Sequence, residues 1–334
     1  MRRIRFGPVT LFLSLFFLGA LPAAAAQKVQ LGLDWVIYAK HTAFFVAKDL
    51  GYFSQAGLDV DIQRGKGSAD LVKRMGTGVP QFGSPDVGEV VRGRSRGIPV
   101  KMVGILLDRS VYVVFALEGS GIREPKDLAG KTMADSVFSA ARRMFPALAE
   151  SAGFDPKKVK WVNVTPAAKG SSLISGAVDA ITAFDLIAPP VYAAARAAGK
   201  KVHTINFRDY GVDIYSNGIA TTDGLIRKNP EMVRGFVGAA LKGVVWGYKN
   251  PQGAMDILLK YNPTLNRNFS LETWKIMMGY FRYQEEKGPG VGLMTREKMA
   301  HTRDLISKHM GVKKTIAVED LFTNKFVPKL STGR

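Results

Sequence analysis

A tryptophan, four carboxylates, one histidine and a set of hydroxyl and amide side chains stand at or close to where strands are expected to end. Their chemistry is that of holding a molecule, not of breaking one. Trp35 closes the alternating apolar run Val29–Trp35, and the carboxyl ends of strands are where open α/β sheets take ligands. An indole there can stack on a planar ring, or it can be a core residue. Asp34 is expected to point the other way or to support the loop, because strand neighbours face opposite sides. His41 opens the next helix and could bond a ring or an acid group, or cap the helix. Gly65-Lys66-Gly67-Ser68 precedes another helix, so its backbone N–H groups could receive an anion, with Lys66 adding charge; a tight turn is the plainer account. The stretch lacks the GxxxxGK[ST] spacing of a nucleotide-binding loop. Ser84 and Asp86 follow the next strand. Asp86 could accept N–H bonds from a ring or merely cap its helix; an acid facing a cleft favours an amine-bearing solute over a plain anion. Further on, Asp135-Ser136 with Ser139 ends a strand and begins a helix and could be a second anion-receiving turn, Phe184-Asp185 ends a later strand and could close on a solute from the opposite side, and Tyr215 and Asn217 could line a hinge; capping alone is the plainer account of each. The chain has no cysteine and four scattered histidines. Disulfides, thiolate metal sites and cysteine catalysis are thereby excluded, and neither a metal nor a cofactor is expected.

The elements that must position these residues alternate. Strands are expected over 29–35, 58–62, 81–84, 99–107 and 112–117, with helices from 42, 68 and 86 between the earlier ones. A second α/β unit follows, with strands over 131–135, 160–164, 180–184 and 201–206 and helices over 140–152, 168–177 and 190–198. One more strand, 215–221, leads to a helical tail. That tail opens with Asn229 as cap and Pro230 at the first helical position. Val233, Phe236, Val237, Ala240, Leu241 and Val244 then recur at one-face spacing. Trp246, Tyr248, Trp274 and Tyr280 read as packing residues of these helices. The tail needs a packing partner, and the first unit is the expected one. The expected organisation is two lobes, 27–115 plus 216–334 and 116–215, joined by two crossovers.

The first 26 residues have the build of a cleaved export signal. Arg2, Arg3 and Arg5 precede the apolar stretch Val9–Leu21 and the small residues Ala24-Ala25-Ala26. The expected mature chain starts at Gln27 and is free in the periplasm or secreted. The formal net charge is +19, of which the three N-terminal arginines account for three. Such a field favours anionic small molecules, membrane surfaces or nucleic acid. Export argues against nucleic acid, and the charge is spread in pairs such as Lys157-Lys158, Lys200-Lys201 and Lys313-Lys314.

Several motifs recur together in one order: Leu33-Asp34-Trp35, His41, Gly51-Tyr52-Phe53, Gly57-Leu58-Asp59-Val60, Gly67-Ser68, Phe82-Gly83 with Asp86, Gly97-Ile98-Pro99-Val100, Gly119-Ser120-Gly121-Ile122, Pro125-Lys126-Asp127-Leu128 and Asn229-Pro230-Glu231. In these the sequence resembles the solute-binding proteins of ABC importers for aminopyrimidine thiamine precursors, sulfonates, taurine and nitrate. It is most similar to the aminopyrimidine branch and to the fungal aminopyrimidine synthases on the same scaffold. The resemblance implies a two-lobed, type II periplasmic binding protein fold. It also implies a solute held in the inter-lobe cleft, permease subunits in the inner membrane as partners, and a monomer. An aminopyrimidine or related ring is favoured; a sulfonate, taurine, nitrate or an aromatic acid is the alternative, and a sensor subunit is a further possibility. The fungal synthases use a lysine and a histidine in the loop after the strand that matches 81–83, plus a cysteine-rich motif. Here that loop reads Ser84-Pro85-Asp86-Val87-Gly88-Glu89, so the resemblance does not extend to synthase chemistry.

Overall fold

A computed structural model describes residues 26–137 and 139–333; the export signal expected over 1–26 lies, but for Ala26, outside the described residues. Among the described residues, ten strands form two five-stranded sheets of the same design. The first sheet has the order β2-β1-β3-β10-β4, from β1 (Gln27–Leu33), β2 (Leu58–Gln63), β3 (Phe82–Ser84), β4 (Val100–Ile105) and β10 (Gly218–Thr222). The second has the order β7-β6-β8-β5-β9, from β5 (Tyr112–Leu117), β6 (Thr132–Asp135), β7 (Lys160–Asn163), β8 (Ala180–Phe184) and β9 (Val202–Asn206). In each, three parallel strands are followed by one antiparallel strand, β10 or β5, that the chain contributes just after crossing over. The strand expectations are met to within a few residues at most ends. Residues 215–217 are an exception: expected to begin the last strand, they form part of the second crossover.

The helices fill the connections. The first lobe holds α1 (Thr42–Asp49), α2 (Tyr52–Gln55), α3 (Ser68–Met75) and α4 (Val87–Ser95). The second holds α5 (Ala140–Ser151), α6 (Pro166–Ser175) and α7 (Ala188–Ala197). After β10 come α8 (Asp223–Lys228), α9 (Pro230–Lys249), α10 (Pro251–Tyr261), α11 (Arg267–Glu286), α12 (Arg296–His309) and α13 (Val318–Leu321). Asn229 caps α9 as its sequence suggests, its side chain accepting from Met232 N–H at 3.1 Å. The apolar stripe of α9 is buried, and its Phe236 stacks on Phe82 at a centroid distance of 3.8 Å and on Phe53 at 5.0 Å. Gly243 lets α9 meet α1 backbone to backbone: a Cβ there would lie 2.1 Å from the Ala43 carbonyl oxygen.

Strand β5 shows how the second sheet divides its core. Val113 and Phe115 face the cluster under α6 and α7, with Leu173, Ile181 and Val191. Tyr112, Val114 and Ala116 face the opposite way, into the main core, as the two-residue period of a strand requires.

The chain passes between sheets over residues 106–111 and again over 207–217. A boundary at 115/116 would cut through β5, whose whole length pairs with β8 and β9; the first crossing therefore falls before Tyr112. The two crossovers run side by side. Leu106 and Leu107 N–H donate to the Asn217 carbonyl, at 3.0 and 2.8 Å, and Ser216 N–H donates to the Leu107 carbonyl at 2.9 Å. The tail packs on both lobes, not on the first alone. In α11, Trp274 donates to the Gly247 carbonyl at 2.9 Å while Thr273 donates to the Leu186 carbonyl at 2.9 Å. Tyr280 bonds Asp185 and accepts from Arg208, both of the second lobe, which gives it a polar duty beyond packing.

One group in the crossover is buried against its own charge. Asp108 is 4% exposed, and its Oδ1 has no hydrogen-bond partner among the described residues. Burial pushes its carboxyl up to about 7, against the attraction of Lys298. The folded state thus keeps a proton that the unfolded chain releases near pH 4, so the associated stability is full below that pH and lost as pH rises through 7. Asp108→Asn abolishes this dependence. Its stability relative to the parent should improve by on the order of 2 kcal/mol between pH 5 and pH 8, measured by urea unfolding; an equal difference at both pH values would refute the assignment.

Candidate functional site

Burial of a carboxylate at the end of β1 organises the first wall of the cleft. Asp34 accepts from Lys40 Nζ at 2.6 Å and from His41 Nε2 at 3.0 Å. Burial would raise its carboxyl, but the Lys40 ammonium and the His41 hydrogen bond hold it well below the usual carboxylate range. Burial lowers His41, with the Lys40 charge adding to the effect and the Asp34 bond opposing it. The ring is thus neutral at neutral pH. Because a carboxylate only accepts, Nε2 carries the proton, and Nδ1 is left facing Tyr38 N–H at 3.5 Å. His41 is fully buried and lies behind the cleft surface.

The glycines of the next loop have a steric reason. A Cβ on Gly65 would stand 1.9 Å from the Leu33 carbonyl oxygen, and Gly65 N–H donates to the Trp35 carbonyl at 3.0 Å. Gly67 has φ +150°, a conformation open to glycine. The loop therefore clamps the chain at Trp35 and delivers Ser68 beside it. Trp35 is half-buried on the cleft surface, and its indole N–H has no partner among the described residues. Lys66 is exposed and outside the cleft lining.

Between the lobes lies a cavity of about 400 Å³. The first lobe contributes Trp35, Tyr38, Lys40 and Ser68; the second contributes Asp135, Ser136, Arg143, Lys169 and Phe184; α11 contributes Asn266, Phe269 and Thr273. Every cation in this lining is paired. Lys40 is held by Asp34 and lies 5.5 Å from the centroids of both Tyr38 and Phe184, the latter across the cleft. Lys169 donates to Asp135 at 2.8 Å, and Asp135 also accepts from Thr182 at 2.6 Å. Arg143 reaches across to Glu89, which is buried and also held by Arg92 at 2.9 Å.

Of the residues expected to touch a solute, Trp35, Ser68 and Ser136 border this cavity, and Asp34 and Phe184 join them. The others stand elsewhere. Asp86 caps α4 by accepting from Gly88 N–H at 2.8 Å, and accepts from Tyr112 at 2.8 Å and Ser216 at 3.0 Å. Burial pushes its carboxyl up to about 6, with these bonds opposing. Its own N–H donates to Ser68 Oγ at 3.1 Å, leaving the Ser68 proton to donate into the cavity. Ser84 is buried, its carbonyl accepting from Asn217 Nδ2 at 3.1 Å. Tyr215 is anchored to the tail, its hydroxyl accepting from Thr295 N–H at 2.8 Å. Asp185 turns from the cavity to Tyr280 and Arg208, where burial raises its carboxyl despite both partners. Asp86, Asn217 and Tyr215 thus belong to the crossover network.

Lys40, Arg143 and Lys169 were not among the expected site residues. A signal existed for two of them: Arg143 and Lys169 stand in the first turns of α5 and α6, where a cation opposes the helix dipole and needs a carboxylate partner.

This architecture is the two-lobed α/β fold of periplasmic binding proteins, with a helical C-terminal region. The aliphatic sulphonate-binding protein SsuA of Escherichia coli shares it with a TM-score of 0.69 at 16% identity, over 88% of this chain and 96% of that one. The chain belongs to the NMT1/THI5-like family, whose model matches residues 38–254. It is 26% identical to the formylaminopyrimidine-binding protein of Halalkalibacterium halodurans over 95% of this chain and 97% of that protein. It is also 26% identical to a 4-amino-5-hydroxymethyl-2-methylpyrimidine phosphate synthase of Legionella pneumophila, over 72% of this chain and 75% of the synthase.

Removing one partner of a buried pair strands the other charge. Asp34→Asn should destabilise the protein by on the order of 3–5 kcal/mol, and Asp34→Asn combined with Lys40→Met should recover most of that in denaturant titrations. A single variant as stable as the parent would show that the pair is not what fixes this wall.

Proposed function

We propose that the protein is an exported solute-binding protein that captures a neutral, planar nitrogen heterocycle between its lobes and presents it to an ABC importer in the inner membrane. The carrying observation is the pairing of Lys40, Lys169 and Arg143 with Asp34, Asp135 and Glu89. A bare sulfonate or nitrate entering this cavity would have to compete with a carboxylate for Lys40, Lys169 and a terminal nitrogen of Arg143, at a desolvation cost that paired charges in low dielectric do not repay; the buried Arg143 Nε, without a partner among the described residues, remains a donor for a ring acceptor. A neutral ring meets no such competition. Trp35 from one lobe and Phe184 from the other offer it aromatic faces, and the Ser68 hydroxyl and the indole N–H offer it donors.

The formylaminopyrimidine-binding relative, matched over 95% of this chain against 72% for the synthase, supports this reading over catalysis. So does the loop after β3. Its Ser84 and Asp86 are buried and committed to the crossover network, and the chain holds no cysteine. The expected partner is a permease, the expected compartment the periplasm, and hinge closure over the solute the expected motion.

A thermal-shift comparison of aminopyrimidines, alkanesulfonates and nitrate tests the proposal, since a ligand that binds only the native state raises its melting temperature. Aminopyrimidines should raise it and the anions should not. Trp35→Ala should reduce the aminopyrimidine shift by at least half. A shift with sulfonate or nitrate alone would overturn the neutral-ring reading, and turnover of the pyrimidine would overturn the non-catalytic one.

A further inference from the structure

We propose that the solute carries an apolar arm which leaves the cavity along a groove between α6 and α7. The inference rests on the ring-binding reading and adds to it the shape and chemistry of the rest of the ligand. The cavity is two-ended. Polar and aromatic groups, Trp35, Ser68 and Asp135 among them, gather at or just past the strand ends, whereas Ile187 and Pro190 bring hydrocarbon to the wall formed by the start of α7. Pro190 carries no N–H, so that stretch offers a solute little to bond.

The hydrocarbon wall continues outward. A second hollow of about 620 Å³ lies between α6 and α7, walled by Ile174, Val191 and Ala194. Lys169, Ile187 and Pro190 border both spaces, so the two meet edge to edge. The floor is open at Gly170, where an added Cβ would meet nothing within 4 Å. The one cation at the junction, Lys169, is neutralised by Asp135 at 2.8 Å, which leaves no unpaired charge there to favour an anionic tail. Volume argues the same way. At about 400 Å³ the cavity alone falls within the roughly 300–1,000 Å³ range of pockets that enclose drug-sized ligands, more than a lone six-membered ring fills.

The occupant of the groove is thus the hydrocarbon part of the solute, aliphatic or aryl, attached to a ring seated against Trp35. Isothermal titration with 2-methyl-4-aminopyrimidines bearing methyl, butyl or phenyl at C5 tests this on the full mature chain. Each methylene that enters the groove should tighten Kd by about 3–4-fold, so the butyl and phenyl compounds should bind at least tenfold tighter than the methyl one. Ala194→Phe fills the groove from an exposed position outside the cavity lining. It should abolish that gain and leave the Kd of the methyl compound unchanged. Equal or weaker binding of the longer compounds to the parent protein would overturn the arm while the ring reading stands. Equal losses for all three compounds in Ala194→Phe would overturn the separate groove. If no member of the series binds, the methyl compound included, the ring reading itself falls and the arm falls with it.

Discussion

The contact between Asp34 and Lys40 governs the first wall of the cleft. A carboxylate and an ammonium, each almost wholly removed from water, stand 2.6 Å apart at the end of β1. Isolated, either would be expelled or neutralised, because the desolvation cost of a lone buried ion exceeds what packing returns. Together they fix the turn of residues 39–41 against the strand end. That turn in turn sets His41 in its Nε2-protonated form and places the Tyr38 ring edge-on to it, 5.2 Å away. Trp35 lies in the segment between, clamped from the other side by Gly65. The same pair bears on the electrostatics of the cavity, because it neutralises Lys40, one of the three cations in the lining.

Pairing of this kind recurs on the opposite wall, and there it joins the lobes. Arg143 belongs to the second lobe and Glu89 to the first, so their contact forms only when the cleft is shut to the present degree. Asp86 and Tyr112 make a second such link nearer the crossovers, and the contacts of Tyr280 with Asp185 and Arg208 a third through α11. The lobes are thus held by polar contacts at several separate places, Glu150 of α5 with Lys308 and His309 of α12 among them, around a cavity whose own lining is largely hydrocarbon and aromatic. Directional contacts of this sort specify one closed geometry, whereas apolar walls alone would tolerate many.

Legibility of the sequence followed the range of the forces involved. The strand and helix order could be read because it is written in local periodicity, and Trp35 and Ser68 could be placed because the carboxyl ends of strands are identifiable from that order. The roles of Asp86 and Asp185 could not. Asp86 accepts from Tyr112 and Ser216, 26 and 130 residues away, and nothing local separates an acid that faces a cleft from one that ties two crossovers. Asp185 is drawn off by Tyr280, 95 residues later, in a tail expected to pack on the first lobe alone. The paired cations were hidden for a related reason. A lysine or arginine on a helix reads as solvated surface until its carboxylate is located, and Glu89 and Asp135 lie 54 and 34 residues from Arg143 and Lys169.

Helix α11 gives the two-lobed plan its asymmetry. It is anchored in the tail through Trp274 and in the second lobe through Thr273, one residue apart, and its cap Asn266 and first-turn Phe269 line the cavity. A hinge that moved the second lobe away would have to break the Thr273 and Tyr280 contacts or carry α11 with it. Carrying the helix would pull Trp274 from the Gly247 carbonyl and uncover a fully buried indole, at a cost of about 3 kcal/mol or more by the usual worth of a buried aromatic. Releasing the three polar contacts of Thr273 and Tyr280 to water costs on the order of 1 kcal/mol each, whereas carrying the helix would disturb the buried Met277 and Phe281 as well as Trp274. The energetically favoured opening therefore leaves α11 with the first lobe. On that path the two crossovers, held together at Leu106, Leu107 and Asn217, bend as one unit, and the cleft parts along the face where Trp35 and Phe184 now stand on opposite sides.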